Sequence, residues 1–380
     1  MKVYFDNAAT TKVRDEVVEE ISYVLKNCFG NPSSTHSYGR SAKSFIETSR
    51  KSIAKILNCE PGEIIFNSGG TESDNSILKC AVKDLGVKHL ISSKIEHHAI
   101  THTLEEIENK EIKVHYVSLK DEGVIDMDSL ENLLKINNES KLVSLMFINN
   151  EIGNILDVKS VSDLCKKYNA YFHSDAVQAV GHYPIDLSSL KIDFLSSAGH
   201  KFHGPKGVGF TYINKSTKIK PFICGGPQER GLRAGTESVH NIVGMTKALE
   251  ISIKNLDKEM EYVKSIKRYM IEKLNILFPD IHYNGMSGDL EKSTYTVLNV
   301  CLPISNEKSS MLDFHLDLKG IACSKGSACQ SGSAIGSHVL SEIQNDKNKE
   351  LPSIRFSFSY NNTIEEVDYL IETLKEFINS

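Results

Sequence analysis

The sequence predicts an α/β protein in which a mostly parallel mixed sheet lies between helices. From Glu63 onward, short apolar runs alternate with amphipathic segments, which is typical of a parallel sheet covered by helices. Polar residues and glycines cluster after several of these runs, at the strand ends where open α/β sheets bind ligands. The chain has 380 residues, 40% of them hydrophobic, so it is long enough for about two domains.

The apolar pattern assigns the elements in chain order. Apolar residues at helical spacing predict a helix over 15–27, a turn-rich break over 30–36 and a longer helix over 42–57. The segments that we predict as strands are 63–67, 89–92, 113–117, 142–148, 171–174, 194–197 and 209–213. The helices that we predict between them are 71–83, 99–109, 127–136 and 160–168.

The pattern changes after Thr236. One long helical segment is predicted to run to Phe278, where Pro279 stops it. The later elements are strands over 294–301 and 353–359, a helix over 309–318 and a last helix from residue 363. This change predicts a smaller α+β domain. We therefore expect a large domain over residues 15–260 that binds the ligand, and a small domain formed by residues 1–14 and 261–380.

Composition and charge narrow the kind of partner. The formal net charge is -5 with no long run of Lys or Arg, so neither nucleic acid nor an anionic membrane is indicated. No apolar stretch approaches the roughly 20 residues of a membrane span, and the first residues lack a signal-peptide apolar region, so we expect a cytoplasmic protein. The 8 cysteines include no Cys-x-x-Cys pair, which argues against a zinc site and against a disulfide framework.

The stretch from Ser196 to Gly209 is the predicted centre of the site. Its glycines would let the backbone around Lys201 lie close to a planar ligand. A lysine amine forms a Schiff base with a cofactor once desolvation or a nearby cation lowers its pKa. The alternative is an ordinary solvated lysine in a glycine-rich loop. The other strand ends therefore have to decide between the two interpretations.

The segment 66–73 passes from a predicted strand through Gly69 and Gly70 into a helix. This geometry directs free backbone amides and the Thr71 hydroxyl at one point, which suits an anion such as phosphate. A plain helix N-cap at Thr71 is the alternative. The segment lacks the Gly-Lys-Ser/Thr ending of a Walker loop, and no Gly-x-Gly-x-x-Gly pattern opens a strand-helix unit. A nucleotide site is therefore disfavoured.

Further polar residues follow other predicted strands. His97 could stack on an aromatic ring or relay a proton, or it could be a hydrogen-bonded loop residue. Burying Asp175 would be costly unless it is paired, for example with a protonated pyridine nitrogen; a capping or salt-bridged Asp is the alternative. Asn150 and Gln178 supply donors for a ring oxygen. Together with the anion site and the lysine, this set matches what pyridoxal 5'-phosphate requires.

The chain resembles the cysteine desulfurases, fold-type I pyridoxal-phosphate enzymes of the class V aminotransferase family, over essentially its full length. The motifs that carry the resemblance are Asp6-Asn7-Ala8-Ala9-Thr10-Thr11, Asn149-Asn150-Glu151-Ile152-Gly153, Gly199-His200-Lys201 and Ser327-Ala328-Cys329. The resemblance implies a fold-type I PLP-dependent transferase fold. It also implies a reaction in which L-cysteine becomes L-alanine and the sulfur passes as a persulfide to an acceptor protein.

The resemblance implies a role for each site residue. The implied cofactor-binding residues are Gly70, Thr71, His97, Asn150, Asp175, Gln178, His200, Lys201 and Thr236. Lys201 would hold the cofactor covalently, His97 would stack on its ring and exchange protons, and Asp175 would pair with the pyridine nitrogen. Asn150 and Gln178 would contact the ring hydroxyl. The remaining residues would bind the phosphate, Thr236 that of the neighbouring subunit, so a homodimer is implied.

Cys329 lies in a Gly/Ser-rich stretch that is too polar and flexible for a core. A thiol that takes sulfur from a substrate and passes it to another protein has to travel, which such a loop permits. The resemblance makes Cys329 the nucleophile, and its Gly-Ser-Ala-Cys signature is similar to the group I, NifS/IscS-like enzymes of iron-sulfur cluster assembly. We interpret Cys323 as a buried bystander, with a resolving thiol as the alternative.

Arg355 lies in the middle of a predicted strand with apolar flanks, where an unpaired guanidinium would be costly. Its planar fork binds carboxylates through two contacts. The resemblance assigns it to the α-carboxylate of the amino-acid substrate, with Asn150 as a second substrate contact. An intramolecular pair with an Asp or Glu is the alternative.

Two positions depart from the family pattern. Ala198 stands where the family usually has a Ser or Thr that binds phosphate, so Ser196 or Ser197 would have to supply that hydrogen bond. Pro227 stands in a glycine-rich position and would stiffen the segment before Gln228. Neither change removes a catalytic group.

Other functions fit parts of the pattern. A selenocysteine lyase or an aminotransferase would use the same cofactor site without Cys329. A scaffold without catalytic activity would bind sulfur-transfer proteins through the Cys329 loop and would carry no cofactor. For a desulfurase, an iron-sulfur scaffold, a tRNA-thiolation relay and a DNA-modification system are equally suitable sulfur acceptors.

Overall fold

A computed structural model describes residues 1–304, 306–325, 336–349 and 351–379. The described helices are α1 (Asp15–Asn27), α2 (Ser37–Ile56), α3 (Gly70–Leu85), α4 (His98–Ile107), α5 (Met127–Leu134), α6 (Val158–Lys167), α7 (Val239–Lys254), α8 (Leu256–Leu277), α9 (Asn306–Leu318), α10 (His338–Ile343), α11 (Asp346–Lys349) and α12 (Ile364–Asn379). The described strands are β1 (Val3–Tyr4), β2 (Ile64–Asn67), β3 (His89–Ser92), β4 (Lys113–Tyr116), β5 (Leu119–Lys120), β6 (Val124–Ile125), β7 (Lys141–Ser144), β8 (Tyr171–Asp175), β9 (Phe194–Ala198), β10 (Gly209–Ile213), β11 (His282–Tyr283), β12 (Val297–Cys301), β13 (Ile321–Ala322) and β14 (Ser353–Ser357).

A seven-stranded sheet organises most of the chain, with the strand order β2-β10-β9-β8-β7-β3-β4. Within this sheet β10 runs antiparallel to both of its neighbours, and the other pairs are parallel. The residues of β7, β9 and β10 are buried throughout because helices cover both faces. The predicted α/β fold with a mostly parallel mixed sheet is confirmed.

A second, three-stranded antiparallel sheet has the order β11-β12-β14. It packs with α8, α9 and α12 around its own hydrophobic core, which also receives Phe5 from the N-terminal segment. Residue 260 lies inside α8, and the division into domains at the predicted boundaries stays a prediction. Within the described residues, every helix is too short or too polar to cross a bilayer.

Two predicted elements differ most from the structure, while others, such as the strand predicted over 294–301 that begins at Val297, differ by a few residues at one end. The single long helix over 236–278 is wrong, because the chain leaves helical geometry at Asn255 and forms α7 and α8 as separate helices. The strand predicted over 142–148 ends at Ser144. Beyond it, Leu145 and Phe147 still donate backbone hydrogen bonds to β8, of 3.2 and 2.8 Å, while the chain turns towards the polar residues that follow. Apolar periodicity cannot report either break, because apolar residues continue through both.

Candidate active site

A cavity of about 300 Å³ lies where β7, β8 and β9 end. Nine predicted site residues line it: Gly70, Thr71, His97, Asn150, Asp175, Gln178, His200, Lys201 and Arg355. Thr236 is exposed and is not among the residues that line the cavity. Cys329 lies outside the described residues. The structure therefore brings together the polar residues that follow different strands of the sheet.

Lys201 reaches the cavity from a short 3-10 turn directly after β9. Its Nζ donates hydrogen bonds to the carbonyl oxygens of Ala8 and Ala9, at 2.6 and 2.9 Å. The turn is tight, since the Gly204 amide donates to the Gly199 carbonyl over 2.9 Å and a Cβ on Gly199 would lie 3.0 Å from Met245. The N-terminal segment thus forms part of the lysine's environment, a contact that the sequence pattern did not predict.

The N-terminus of α3 forms one end of the cavity. Gly69 is the N-cap residue with φ +140°, and no side chain caps this helix end, so the alternative of a Thr71 cap is wrong. A Cβ on Gly70 would lie 2.7 Å from Val177 Cγ2, so this turn needs glycine. Burial and the charge of Lys201 lower the pKa of His200 to about 4, so its ring is neutral. Uncapped amides beside a hydroxyl and an imidazole form a donor set for an anion.

Asp175 is the buried acid at the end of β8. Its Oδ1 accepts a 2.9 Å hydrogen bond from the Val177 amide, while burial raises its pKa to about 6. Asp74 of α3 lines the same cavity with 1% of its surface exposed, and burial together with Asp175 raises its pKa well above the usual range. Of the two carboxyls, Asp175 is therefore the one that ionises first. The sequence signal that could have identified Asp74 is its helical spacing from Gly70, which places both residues on one face of α3.

His97 is the N-cap of α4. Its Nδ1 accepts a 3.1 Å hydrogen bond from the Ala99 amide, so the neutral ring carries its hydrogen on Nε2. Burial and the charge of Lys201 lower the pKa of His97 to about 4. A neutral imidazole in a fixed orientation is suited to stacking on a ligand ring, and the hydrogen that it can exchange is the one on Nε2.

Gln178 and Asn150 enter the cavity from the segments that follow β8 and β7. Gln178 Nε2 donates to the Ala8 carbonyl over 3.0 Å, so one of its amide hydrogens is used within the protein. The Asn150 backbone carbonyl accepts a 3.0 Å hydrogen bond from Arg355 Nη1. Both side chains remain part of the cavity wall, where they can contact a ligand.

Arg355 projects from the middle of β14 and is 1% exposed. Its Nη2 donates to Asp6 Oδ1 over 2.8 Å, so the intramolecular ion pair, which was the alternative to substrate binding, exists. The same guanidinium lines the cavity, and its Nε has no hydrogen-bond partner among the described residues. The ion pair orients the cation and leaves part of its donor capacity for a carboxylate ligand.

Ala198 is the position in this cavity that departs from the family pattern. Ala198 lines the cavity, whereas Ser196 and Ser197 are not among its lining residues. Ser196 Oγ lies 3.0 Å from His173 Nε2, so its hydroxyl is engaged below the cavity. Ser197 Oγ is buried and has no hydrogen-bond partner among the described residues, and its role as a phosphate ligand stays a prediction.

Cys323 lies outside the set of residues that line the cavity. Burial raises the pKa of its thiol to about 12, which favours the interpretation of Cys323 as a buried bystander.

The segment that carries Thr236 is anchored by a buried ion pair. Glu229 accepts hydrogen bonds from Arg50 Nη1 and Nη2, at 2.8 and 2.7 Å, and from the Phe66 amide at 2.8 Å. Arg233 donates to Glu72 in the first turn of α3 over 2.9 Å. These contacts hold Thr236 outside the cavity of its own chain, on the side where α3 begins.

The chain is similar to proteins whose family is known. The aminotransferase class-V family matches residues 3–370. A protein named cysteine desulfurase IscS from Dictyoglomus turgidum is 41% identical over 99% of this chain and 94% of its own. A solved NifS-like protein is 38% identical, with a TM-score of 0.91 over 100% of both chains. Another, titled SspA in complex with cysteine, is 30% identical, with a TM-score of 0.82 over 95% of this chain and 100% of its own.

The chain therefore belongs to the class V aminotransferase family and, within it, to the cysteine desulfurases. Enzymes of this family depend on pyridoxal 5'-phosphate. The resemblance that the motifs predicted, and the fold-type I architecture that it implied, are confirmed.

Proposed function

We propose that this chain converts L-cysteine to L-alanine and carries the released sulfur as a persulfide on Cys329 until an acceptor protein takes it. The observation that supports this proposal is the meeting of Lys201, Asp175 and Arg355 at one cavity. An amine, a buried acid and a carboxylate receptor are the groups that amino-acid chemistry on pyridoxal 5'-phosphate needs. The relatives carry the desulfurase name, and one solved relative is titled as a complex with cysteine.

The described residues fit pyridoxal 5'-phosphate. The uncapped N-terminus of α3 and the neutral His200 suit its phosphate, and the cradle at Gly70 has no room for a Cβ. Asp175 would pair with the ring nitrogen, which removes the cost of its burial, and His97 would cover a ring face. Lys201 would hold the cofactor, and Asn150 and Gln178 would contact its hydroxyl. When bound, the cofactor supplies an electron-accepting ring that stabilises negative charge at the substrate α-carbon.

The residues of the chain divide the reaction between them. Arg355 binds the α-carboxylate of L-cysteine, and the Lys201 amine, once free, takes the proton from the α-carbon. The Cys329 thiolate then attacks the substrate sulfur, so that a sulfur-sulfur bond forms while the bond between sulfur and the β-carbon breaks. The carbon left behind takes up protons and leaves as alanine. His97 carries its exchangeable hydrogen on Nε2 and is our candidate for one of these proton transfers.

The active form in this proposal is a cytoplasmic homodimer. Thr236 is exposed outside the cavity, and the Arg50–Glu229 ion pair holds its segment in place. Both features suit a residue that contacts the phosphate in a neighbouring subunit. The sulfur acceptor in this proposal is an iron-sulfur scaffold or a thiolation relay.

The decisive experiment compares Cys329→Ser with Cys323→Ser and the wild type. The wild type and Cys323→Ser should form sulfide and alanine in equal amounts from L-cysteine in the presence of a reductant. Cys329→Ser should keep the yellow colour of the bound cofactor and lose sulfide release, because the thiol that accepts the sulfur is gone. Sulfide release at the normal rate by Cys329→Ser would show that the persulfide role is wrong.

The same assay separates the other candidate activities. A selenocysteine lyase would form alanine from selenocysteine faster than from cysteine and without Cys329. An aminotransferase would release no sulfide. Lys201→Ala should lose the yellow absorption altogether, and a scaffold without cofactor would lack it already in the wild type.

A further inference from the structure

A further imidazole, that of His338, lines the cavity from the first residue of α10. Its Nε2 lies 2.8 Å from the backbone carbonyl oxygen of Glu96. A carbonyl oxygen only accepts hydrogen bonds, so Nε2 carries a hydrogen, and in this tautomer Nδ1 is an acceptor. This Nδ1 is buried, and no described residue offers it a hydrogen bond. An acceptor of this kind is costly to bury unless a ligand satisfies it.

The orientation of this ring is set by the protein. The His338 ring packs on that of His98 with the centroids 4.3 Å apart, and His98 stacks on His102 at 4.6 Å. The loop that supplies the Glu96 carbonyl is held in place as well, because Oε1 of the Glu96 carboxyl group accepts a 3.0 Å hydrogen bond from the Met146 amide. In the described part of the chain, no group of His, Cys, Asp or Glu side chains is arranged to hold a metal ion. The His98 and His338 rings line the cavity, whereas His102, at the far end of the stack, is exposed and does not.

The groups of L-cysteine can be assigned to the cavity in turn, and this step rests on the proposed function. Arg355 takes the carboxylate, and the amino group takes the place of the Lys201 amine. The donor that remains on the substrate is the thiol hydrogen. Another buried acceptor of the cavity, Asp74 Oδ1, lies 3.5 Å from His173 Nε2 and belongs to the acid pair with Asp175. In the proposed function that pair would face the ring nitrogen of the cofactor. The carboxyl of Glu151, which also lines the cavity, already accepts a hydrogen bond from Ser337 Oγ, so we assign the thiol to His338.

We propose that His338 Nδ1 accepts a hydrogen bond from the thiol of bound L-cysteine and is a specificity-determining residue of this site. The bond would place the substrate sulfur against the His98–His338 wall and would keep the thiol protonated, as attack by a second sulfur requires. L-Alanine lacks the thiol and cannot make this bond. The residue therefore binds the substrate more tightly than the product.

The test uses the complete holoenzyme and two substitutions of His338. In His338→Gln the amide nitrogen can still donate to the Glu96 carbonyl, but the acceptor at the Nδ1 position is lost. In His338→Asn the amide oxygen takes the place of Nδ1. The measurements are KM and kcat for L-cysteine, and the affinity for L-alanine from the change that it causes in the cofactor absorption. His102→Gln, at the far end of the stack, is the matched control.

We expect His338→Gln to raise KM for L-cysteine by about three- to tenfold, as for one hydrogen bond, with the affinity for L-alanine unchanged. The KM of His338→Asn should lie close to that of the wild type, because its amide oxygen restores the acceptor. The KM of His102→Gln should equal the wild-type value. An unchanged KM in His338→Gln would overturn the proposal, and so would an equal loss of affinity for cysteine and alanine, which indicates structural damage. A wild type that releases no sulfide would instead contradict the proposed desulfurase function.

Discussion

Arg355 Nη2 lies 2.8 Å from Oδ1 of Asp6, which is 349 residues away in the chain. The segment that begins at Asp6 also pairs with β14 at Ser357, and its Ala8 and Ala9 carbonyls accept hydrogen bonds from Lys201 Nζ. One N-terminal segment therefore positions both the proposed receptor for the substrate carboxylate and the proposed cofactor lysine. The motif over residues 6–11, which carries part of the family resemblance, thus has a physical role in the structure.

Arg355→Lys tests the carboxylate receptor. Lysine keeps the positive charge but loses the planar fork, so we expect KM for L-cysteine to rise by about 10- to 100-fold with a smaller change in kcat. The yellow cofactor absorption should stay, because Arg355 does not hold the cofactor in our proposal. Steady-state kinetics of sulfide release give both constants.

Asp6→Asn is the matched variant, since it keeps the cation and removes the carboxylate that orients it. Its KM should rise less than that of Arg355→Lys. If KM stays at the wild-type value in both variants, the substrate carboxylate binds elsewhere.

Gly70→Ala tests the phosphate cradle. The added Cβ would meet Val177 Cγ2 at 2.7 Å, so either the Val177 side chain or the first turn of α3 has to shift, and a shift of the turn moves its amides. We expect the affinity of the apoenzyme for pyridoxal 5'-phosphate to fall by about tenfold, the equivalent of one to two hydrogen bonds. A titration followed by absorption measures it.

Val177→Ala removes the methyl group that Gly70→Ala would meet. The double substitution should therefore bind the cofactor more tightly than Gly70→Ala alone. Normal cofactor binding by Gly70→Ala would show that the phosphate does not lie at this turn.

Because Glu96 is buried, we expect the free energy of unfolding to depend on pH. Burial raises its pKa from 4.5 to about 8 in the folded protein. Between these two values the folded state binds more protons than the unfolded state, so this group lowers the free energy of unfolding as the pH rises. The loss is at most about 1.4 kcal/mol per pH unit, and below the unfolded pKa the group has no such effect.

Glu96→Gln resembles the protonated side chain at every pH. Relative to the wild type, this variant should gain stability as the pH rises from about 5 to about 8, and urea unfolding at several pH values measures the difference. Stability curves that run parallel over this range would mean that Glu96 is already ionised in the folded protein.

Local pattern predicted most of the large sheet. Strands such as β3 and β10 form at the predicted residues, because each contains a short apolar run that is buried in the sheet. The two-residue strands β1 and β13 were not predicted, because each forms only by pairing with the other, which is distant in the sequence. The break at Asn255 was also not predicted. There the local pattern is misleading, because the apolar spacing of α7 continues into α8.

Some features of the candidate site could likewise be predicted from local sequence, and others could not. Residue type at strand ends was enough to predict that Lys201, Asp175 and Thr71 lie close together, because parallel strands bring their carboxyl ends to one edge of the sheet. The ion pair of Asp6 with Arg355 and the orientation of His338 Nδ1 depend on contacts between segments hundreds of residues apart. Hydrogen-bond partners, tautomers and burial are properties of such contacts, so they arise only once the chain has folded.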